Sequence, residues 1–348
     1  MNSRTIQLFN HRLSIVIPVY NEKDNIAPLV KRVHHALENY SQPWELIIVD
    51  DGSIDDSQLS LQEEIKQYGS HVRALYLQRN YGQTAAMQTG IDAARGNVIV
   101  TLDGDLQNDP KDIPRLVKKL ITEDLDLVAG WRKDRQDGLW LRKIPSKIAN
   151  RLIAKITGVK LHDYGCSLKV YRSNIIKNVR LYGEMHRFIP AWVATKTQAS
   201  RIKEEVVNHS AREAGQSKYG ISRTFRVLLD LLSVYFFMRF SARPGHFFGS
   251  LAMISGSIGG VILSYLFTLK LLGESIGGRP LLLVGVLLII AAVQLLTTGI
   301  LGELMARTYF ESRDSKAYNV RNDEEMEIDT NASWNNFSPA GTTLKVAN

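Results

Sequence analysis

Short apolar runs alternate with amphipathic segments along the chain up to about Gly130. Five of these runs are rich in β-branched or aliphatic residues, which is typical of strands buried on both faces of a parallel sheet. The runs are Leu13 to Val19, Trp44 to Val49, Val72 to Leu77, Val98 to Leu102 and Leu125 to Ala129. The alternation of strand and helix patterns predicts a doubly wound α/β domain with a mostly parallel sheet.

Two of the intervening segments show helical periodicity. Between the first and second runs, one helix face is marked by Ile26, Leu29, Val30, Val33 and Leu37. Between the fourth and fifth runs, the same pattern is formed by Ile113, Leu116, Val117, Leu120 and Ile121. Ligands bind at the carboxyl ends of the strands in sheets of this kind, so the polar residues that follow each run are the candidates for chemistry.

The fourth run leads into Thr101-Leu-Asp-Gly-Asp-Leu-Gln107. A strand that ends in Asp103 and Asp105 can direct two carboxylates at a single hard cation. Oxygen ligands that leave room for water and substrate phosphates suit Mg²⁺ or Mn²⁺, and such a cation neutralises the diphosphate of an activated donor. The alternative is a simple turn, because Asp-Gly is frequent in hairpin loops.

Polar motifs also follow the first three runs: Ile17-Pro-Val-Tyr-Asn-Glu22, Val49-Asp-Asp-Gly-Ser-Ile-Asp55 and Arg79-Asn-Tyr-Gly82. Asp50 and Asp51 are suited to accept hydrogen bonds from base N–H groups and ribose hydroxyls. Turn formation by Asp51 is expected alongside binding. Glu22 is a candidate nucleoside contact or, alternatively, a carboxylate that stabilises a helix N-terminus.

Two uncharged apolar segments, Phe247 to Leu269 and Pro280 to Gly302, lie towards the C-terminus. Each exceeds the ~20 residues needed to cross a bilayer core, and the short connector between them predicts a hairpin. Gly256 and Gly260 are small residues four apart, a spacing that suits close helix packing. Basic residues flank the outer ends of the pair: Arg223, Arg226, Arg239, Arg243, Arg307, Arg313 and Lys316. The positive-inside rule therefore puts both termini in the cytoplasm.

These patterns divide the chain into four parts. Residues 1–220 form the cytoplasmic α/β domain, and residues 221–245 form an amphipathic region that lies along the bilayer surface. Residues 246–310 form the two transmembrane helices, and residues 311–348 form a polar cytoplasmic tail that is expected to be disordered.

The four strand-end motifs together resemble the family-two glycosyltransferases with the GT-A nucleotide-sugar fold. Further motifs resemble the dolichol-phosphate-mannose-synthase-like branch of that family. These are Gly130-Trp-Arg132, Arg142 followed by Ser146 and Asn150, Asp163-Tyr-Gly-Cys-Ser-Leu-Lys169, and Gly215-Gln-Ser-Lys218. With the apolar hairpin, the chain resembles bacterial polyprenyl-phosphate glucosyltransferases.

The resemblance implies four overlapping groups of site residues. The donor-binding residues are Pro18, Tyr20, Glu22, Asp50, Asp51, Arg79 and Asp103, and the metal ligands are Asp103, Asp105 and Gln107. The residues for the acceptor phosphate are Arg132, Arg142, Ser146 and Lys218. Arginine binds phosphate through paired donors, and a solvated basic surface is the alternative. The candidate catalytic residues are Asp103, Asp105, Arg132 and Arg142.

The resemblance also implies the reaction: an inverting, metal-dependent transfer of a hexose from a nucleotide sugar to polyprenyl phosphate at the cytoplasmic face of the inner membrane. Glucose from UDP-glucose is the favoured donor, with GDP-mannose or a UDP-N-acetylhexosamine as alternatives. From another class, the alternative is a membrane-tethered protein that binds sugar nucleotides without turnover. A homo-oligomer is expected. The net charge of +8 favours anionic partners, but the clustering of positive charge near the membrane segments argues against nucleic acid.

Overall fold

The computed structural model describes residues 11–133, 153–155, 157–181, 183, 185–210, 235–236, 239–240 and 243–312. They belong to two compact units, a sheet domain and a helical hairpin. Most of the predicted interfacial region and nearly all of the predicted tail lie outside the described residues. The same is true of Arg142, Ser146 and Lys218.

One seven-stranded sheet runs through the first unit in the order β3-β2-β1-β4-β6-β5-β7. The strands are β1 Leu13–Val19, β2 Trp44–Asp50, β3 Val72–Tyr76, β4 Val98–Thr101, β5 Leu127–Trp131, β6 Lys169–Arg172 and β7 Ile202–Val206. All neighbours pair in parallel except β6, which runs antiparallel between β4 and β5. The mostly parallel sheet and its first five strands are confirmed, whereas β6 and β7 were not predicted.

Helices cover both faces of this sheet. They are α1 Lys23–Leu37, α2 Ser57–Tyr68, α3 Gln83–Ala93, α4 Ile113–Thr122, α5 Ser173–Ile176 and α6 Ile189–Val193, with 3-10 turns at Pro110–Asp112, Met185–Phe188 and Ala199–Arg201. The predicted apolar faces of α1 and α4 are buried in one core with Leu13, Ile15 and Ile17 of β1. On the opposite face, a Cβ added at Gly90 of α3 would lie 2.3 Å from Val16 Cγ1. The doubly wound architecture is therefore confirmed.

The second unit contains two long antiparallel helices, α7 Pro244–Leu271 and α8 Pro280–Ser312. Both are long and apolar enough to cross a membrane, judged by length and composition. The predicted hairpin is present, but its close packing differs in detail. A Cβ added at Gly259 would lie 3.0 Å from the carbonyl oxygen of Gly285, whereas one at Gly260 would meet no described atom within 4 Å. Gly259 therefore lets the two helices approach. Of the predicted pair, Gly256 faces the other helix, with Ala292 Cβ 3.4 Å from an added Cβ, whereas Gly260 does not take part in this contact.

Candidate active site

The loop after β4 carries the two candidate metal ligands. The side chain of Gln83, at the start of α3, donates a hydrogen bond from Nε2 to Asp103 Oδ1 at 2.7 Å. Asp105 Oδ1 accepts a longer one, 3.3 Å, from the backbone N–H of Gln107. Leu106 has a φ of +60°, a left-handed conformation that is strained for a branched side chain. The surrounding contacts therefore hold this loop in a specific and unfavourable backbone conformation.

The two carboxylates also influence each other electrostatically. Burial, together with the charge of Asp105, raises the pKa of Asp103 to about 6. A divalent cation would relieve this repulsion. Among the described residues, no group of three or more His, Cys, Asp or Glu side chains forms a closed metal cage. Two carboxylates and the Gln107 amide instead fit a hard cation that completes its shell with water and substrate phosphates.

The carboxylate of Asp50, at the end of β2, is hydrogen-bonded to residues that follow this strand. Its carboxylate accepts hydrogen bonds from the backbone N–H of Ser53 at 3.1 Å and from Gln58 Nε2 at 3.0 Å. The side chain is buried. The structure therefore shows Asp50 organising the turn, and its contact with the donor stays a prediction.

Asp51 ties this turn to the loop after β3. Its two carboxylate oxygens accept hydrogen bonds from the backbone N–H groups of Tyr81 and Gly82, each at 2.8 Å. Gly52 has a φ of +69°, and a Cβ there would lie 2.4 Å from the backbone carbon of Arg79. Only glycine allows such a close approach at this backbone angle. The Asp-Gly pair therefore joins the carboxyl ends of β2 and β3 into one structure.

The remaining predicted donor-binding residues line the same edge of the sheet. Pro18 is buried within β1, while Tyr20 is exposed. Glu22 occupies the N-cap position of α1, which agrees with its alternative role at a helix N-terminus, but its carboxylate accepts from the Asn25 side chain and caps no backbone N–H. The guanidinium of Arg79 lies 4.6 Å from the ring centroid of Tyr81. Their contact with a donor stays a prediction.

Arg132, which follows β5, forms an ion pair with Asp163. Its Nε and Nη2 atoms donate to the two carboxylate oxygens at 2.7 and 3.0 Å. The two side chains are only 11% and 12% exposed. Although burial opposes the charge, the hydrogen bonds and charge of Asp163 raise the pKa of Arg132. Two donors of the predicted phosphate clamp are therefore directed at a carboxylate, a partner that sequence reasoning did not identify.

Lys169, the last residue of the motif that begins at Asp163, is a further charged residue here, although it was not among the predicted site residues. It lies opposite Thr101 in the antiparallel pairing of β4 and β6, and its Nζ donates to the carbonyl oxygen of Cys166. Burial lowers the pKa of Lys169, while the charges of Asp103 and Asp163 act on it in the opposite direction. A lysine flanked by apolar residues in a short strand was the available signal.

His186 contacts the first turn of α3. Its Nδ1 atom is 2.6 Å from Thr84 Oγ1, and Thr84 follows the glutamine that contacts Asp103. The imidazole thus supports the start of α3, which carries that glutamine.

Residues 14–180 match Glycosyl transferase family 2. The chain is 60% identical over 310 residues to a dodecaprenyl-phosphate galacturonate synthase of Rhizobium johnstonii, covering 89% of this chain and 92% of the relative. It is 37% identical over 331 residues to an undecaprenyl-phosphate 4-deoxy-4-formamido-L-arabinose transferase of Edwardsiella ictaluri, covering 93% and 98%. A chain so similar along its length to these enzymes belongs to glycosyl transferase family 2.

Solved structures agree on the fold. Glucosyl-3-phosphoglycerate synthase from Mycobacterium tuberculosis, in complex with Mn²⁺ and UDP-glucose, superposes with a TM-score of 0.51 at 16% identity, covering 66% of this chain and 81% of that one. At this identity the likeness shows the GT-A fold alone. The motif resemblance, the fold and the assignment as a glycosyltransferase are therefore confirmed.

Proposed function

We propose that this chain transfers a sugar from a nucleotide-activated donor to a polyprenyl phosphate. The observation that carries the proposal is the presence, in one chain, of paired carboxylates at the carboxyl end of β4 and an apolar two-helix hairpin. The hairpin provides a membrane anchor that suits an isoprenoid acceptor retained in the bilayer. The two relatives, a dodecaprenyl-phosphate and an undecaprenyl-phosphate enzyme, support the same class of acceptor.

The donor sugar is the point at which relatives and sequence prediction differ. The motifs favoured glucose from UDP-glucose, whereas the relative at 60% identity is a galacturonate synthase. We therefore infer that galacturonate is the transferred sugar, with uridine diphosphate as the leaving group. Glucose is the competing donor sugar.

The chain contributes positioning and charge rather than a strong base. A divalent cation, held by Asp103, Asp105 and Gln107, would neutralise the leaving diphosphate. The acceptor phosphate has a second pKa near ~6 and is largely anionic at neutral pH, so no protein group has to remove a proton from it. Gln83 orients Asp103, and the strained loop fixes the distance between the carboxylates. Rate enhancement then comes from alignment and charge stabilisation.

A lipid-product assay tests this function. Membranes containing the chain, polyprenyl phosphate and Mn²⁺ should convert UDP-galacturonate to a polyprenyl-phosphate sugar with the mass of the uronate. We expect UDP-glucose to be used at least about tenfold less well, because a site built around a polar substituent rejects the analogue that lacks it. Equal use of both donors would refute the sugar assignment. If no nucleotide sugar gave a lipid product, the function would instead be the binding of sugar nucleotides without turnover.

Membrane topology provides a separate prediction. We propose an inner-membrane protein whose catalytic domain and termini are cytoplasmic, with the hairpin connector on the opposite side. In a Cys166→Ser background, a membrane-impermeant thiol reagent applied from outside should label a cysteine at Ser275 and spare one at Ser315. Cys166 is buried, so the background change removes little. If the external reagent labelled only Ser315→Cys, the catalytic domain would lie outside, away from cytoplasmic sugar nucleotides. That result would refute this arrangement.

A further inference from the structure

Lys169 is a buried lysine for which the described residues provide no carboxylate partner. It is the first residue of β6, opposite the last residue of β4, and it is only 2% exposed. The ammonium donates one hydrogen bond, to the carbonyl oxygen of Cys166. Among the described residues, no carboxylate lies within ion-pair distance of its Nζ atom. An ammonium has three donors, so two of them are available for another acceptor.

Three buried or half-buried arginines of this domain are paired with carboxylates. The pairs are Arg73 with Glu45, Arg132 with Asp163 and Arg201 with Asp126, each with a shortest N···O distance of 2.7 Å. A buried charge without a counter-ion destabilises a fold. Lys169 has no such pair among the described residues, so ion pairing does not account for its burial.

The position of Lys169 relates it to the donor site. Its partner across the strands is Thr101, and paired residues of antiparallel strands share one face of a sheet. Asp103 follows Thr101 by two residues and lies just after the end of β4. Asp103 and Asp163 are also close enough for their charges to act on the ammonium. An anion that approaches Asp103 with a metal would therefore approach Lys169 as well.

We propose that Lys169 supplies a fixed positive charge to an anionic group of the nucleotide-sugar donor. Two groups of the donor have the required chemistry: the diphosphate, and the carboxylate of a uronic sugar. The flexible four-carbon stem of lysine allows the ammonium to turn from the Cys166 carbonyl towards the ligand. This inference rests on the proposed function for the class of donor, although its test requires no turnover.

A purely structural role makes the opposite prediction about stability. If Lys169 served to hold the Cys166 carbonyl, its replacement would weaken the fold. If the charge of Lys169 instead serves to bind a ligand, an apolar side chain of similar length would remove an unpaired buried charge from the ligand-free protein. The ligand-free protein should then be as stable as wild type or more so.

The experiment compares the full-length detergent-solubilised wild type with Lys169→Met, Lys169→Arg and Lys177→Met. Lys177 is a matched control, because its Nζ also donates to a backbone carbonyl, that of Ala94, at 2.6 Å. Ala94 precedes β4, so this contact lies where the strands begin, away from the site. Thermal unfolding without ligand is measured first. Calorimetry then gives the affinity, with Mn²⁺ present, for UDP, UDP-galactose and UDP-galacturonate.

For Lys169→Met we expect an unfolding temperature at or above that of wild type and a ten- to hundredfold loss of affinity, on the order expected for one charged hydrogen bond. Lys169→Arg should recover part of the affinity, and Lys177→Met should match wild type. A loss that includes UDP itself identifies the diphosphate as the group bound. A loss confined to UDP-galacturonate identifies the sugar carboxylate.

Three results would overturn the proposal: affinities that Lys169→Met leaves unchanged, a lowered unfolding temperature for this variant, or no binding of any ligand by wild type. Failure of the proposed function would look different. Wild type would then bind the donors and show the Lys169 dependence, yet form no polyprenyl-phosphate sugar.

Discussion

Asp105→Asn should lower sugar transfer by a factor of about 10² to 10³, the size of effect seen when one electrostatic contact to developing charge is removed. The substitution deletes the charge of a metal ligand and keeps the volume of the side chain. Asp103→Asn should have a similar or somewhat milder effect. Initial rates of lipid-product formation, measured over a range of Mn²⁺ concentrations, test both variants.

Stability separates loss of the site from loss of the fold. The pKa of Asp103 in the folded chain is about 6, above its ordinary value of 3.8. The folded state therefore binds this proton more tightly than the unfolded state, so stability falls as the pH rises through this interval. Asp103→Asn removes the repulsion, and we expect its ligand-free form to unfold at a higher temperature than wild type at pH 7. The difference should shrink towards pH 4.

Asp109→Asn is the control for these variants. Asp109 belongs to the same loop, but its side chain accepts a hydrogen bond from the backbone N–H of Lys111 at 3.0 Å and caps a 3-10 turn. Its replacement should leave the Mn²⁺ dependence of the rate unchanged. Near-normal transfer by both Asp103→Asn and Asp105→Asn, with no effect of EDTA on wild type, would refute the metal assignment.

The apolar pattern of the sequence predicted the first five strands and two of the helices that cover them. The runs that became β1 to β5 are continuous and apolar because both faces of the sheet are covered, and α1 and α4 have one clear apolar face. Strand β6 was missed because it has only Val170 and Tyr171 between the charged residues Lys169 and Arg172. Its place is fixed by pairing with β4 and β5, which precede it by many residues. No local signal encodes that antiparallel insertion.

In the candidate site, too, the residues that local spacing identifies were predicted, whereas their partners from distant segments were not. Residue types and spacing predicted that Asp103 and Asp105 would follow one strand, and the structure has them there. The partners that occupy other predicted site residues come from distant segments. Asp51 is bound by the loop that follows β3, and Arg132 is bound by Asp163. These contacts follow from the topology of the sheet, so the sequence alone did not reveal them.

The ion pair of Arg132 and Asp163 changes what substitution of Arg132 should do. Removing one partner leaves a buried charge unpaired, which typically destabilises a protein by about 3–5 kcal/mol. Arg132→Met and Asp163→Leu should therefore each lower the unfolding temperature markedly. The double variant should recover most of the loss, because an apolar pair can replace a buried ion pair at little net cost. Thermal unfolding of the three variants measures this coupling.

Arg201 and Asp126 form the control pair, with Nε and Oδ2 at 2.7 Å, and their neighbours Arg172 and Asp124 form an ion pair of their own at 2.9 Å. Arg201 precedes β7, so this pair lies where the strands begin, opposite to the candidate site. The corresponding apolar double variant there should retain stability and also the kinetics for polyprenyl phosphate.

Function distinguishes the two pairs. If Arg132 also binds the acceptor phosphate, the stable Arg132→Met/Asp163→Leu variant should still bind the donor but lose acceptor affinity ten- to hundredfold, about what one charged hydrogen-bonding partner contributes. Donor calorimetry and initial rates against polyprenyl phosphate separate these effects. Because the variant restores packing without restoring charge, a normal acceptor dependence would mean that Arg132 only joins the end of β5 to the segment before β6. Equal losses for donor and acceptor would point to the same structural role.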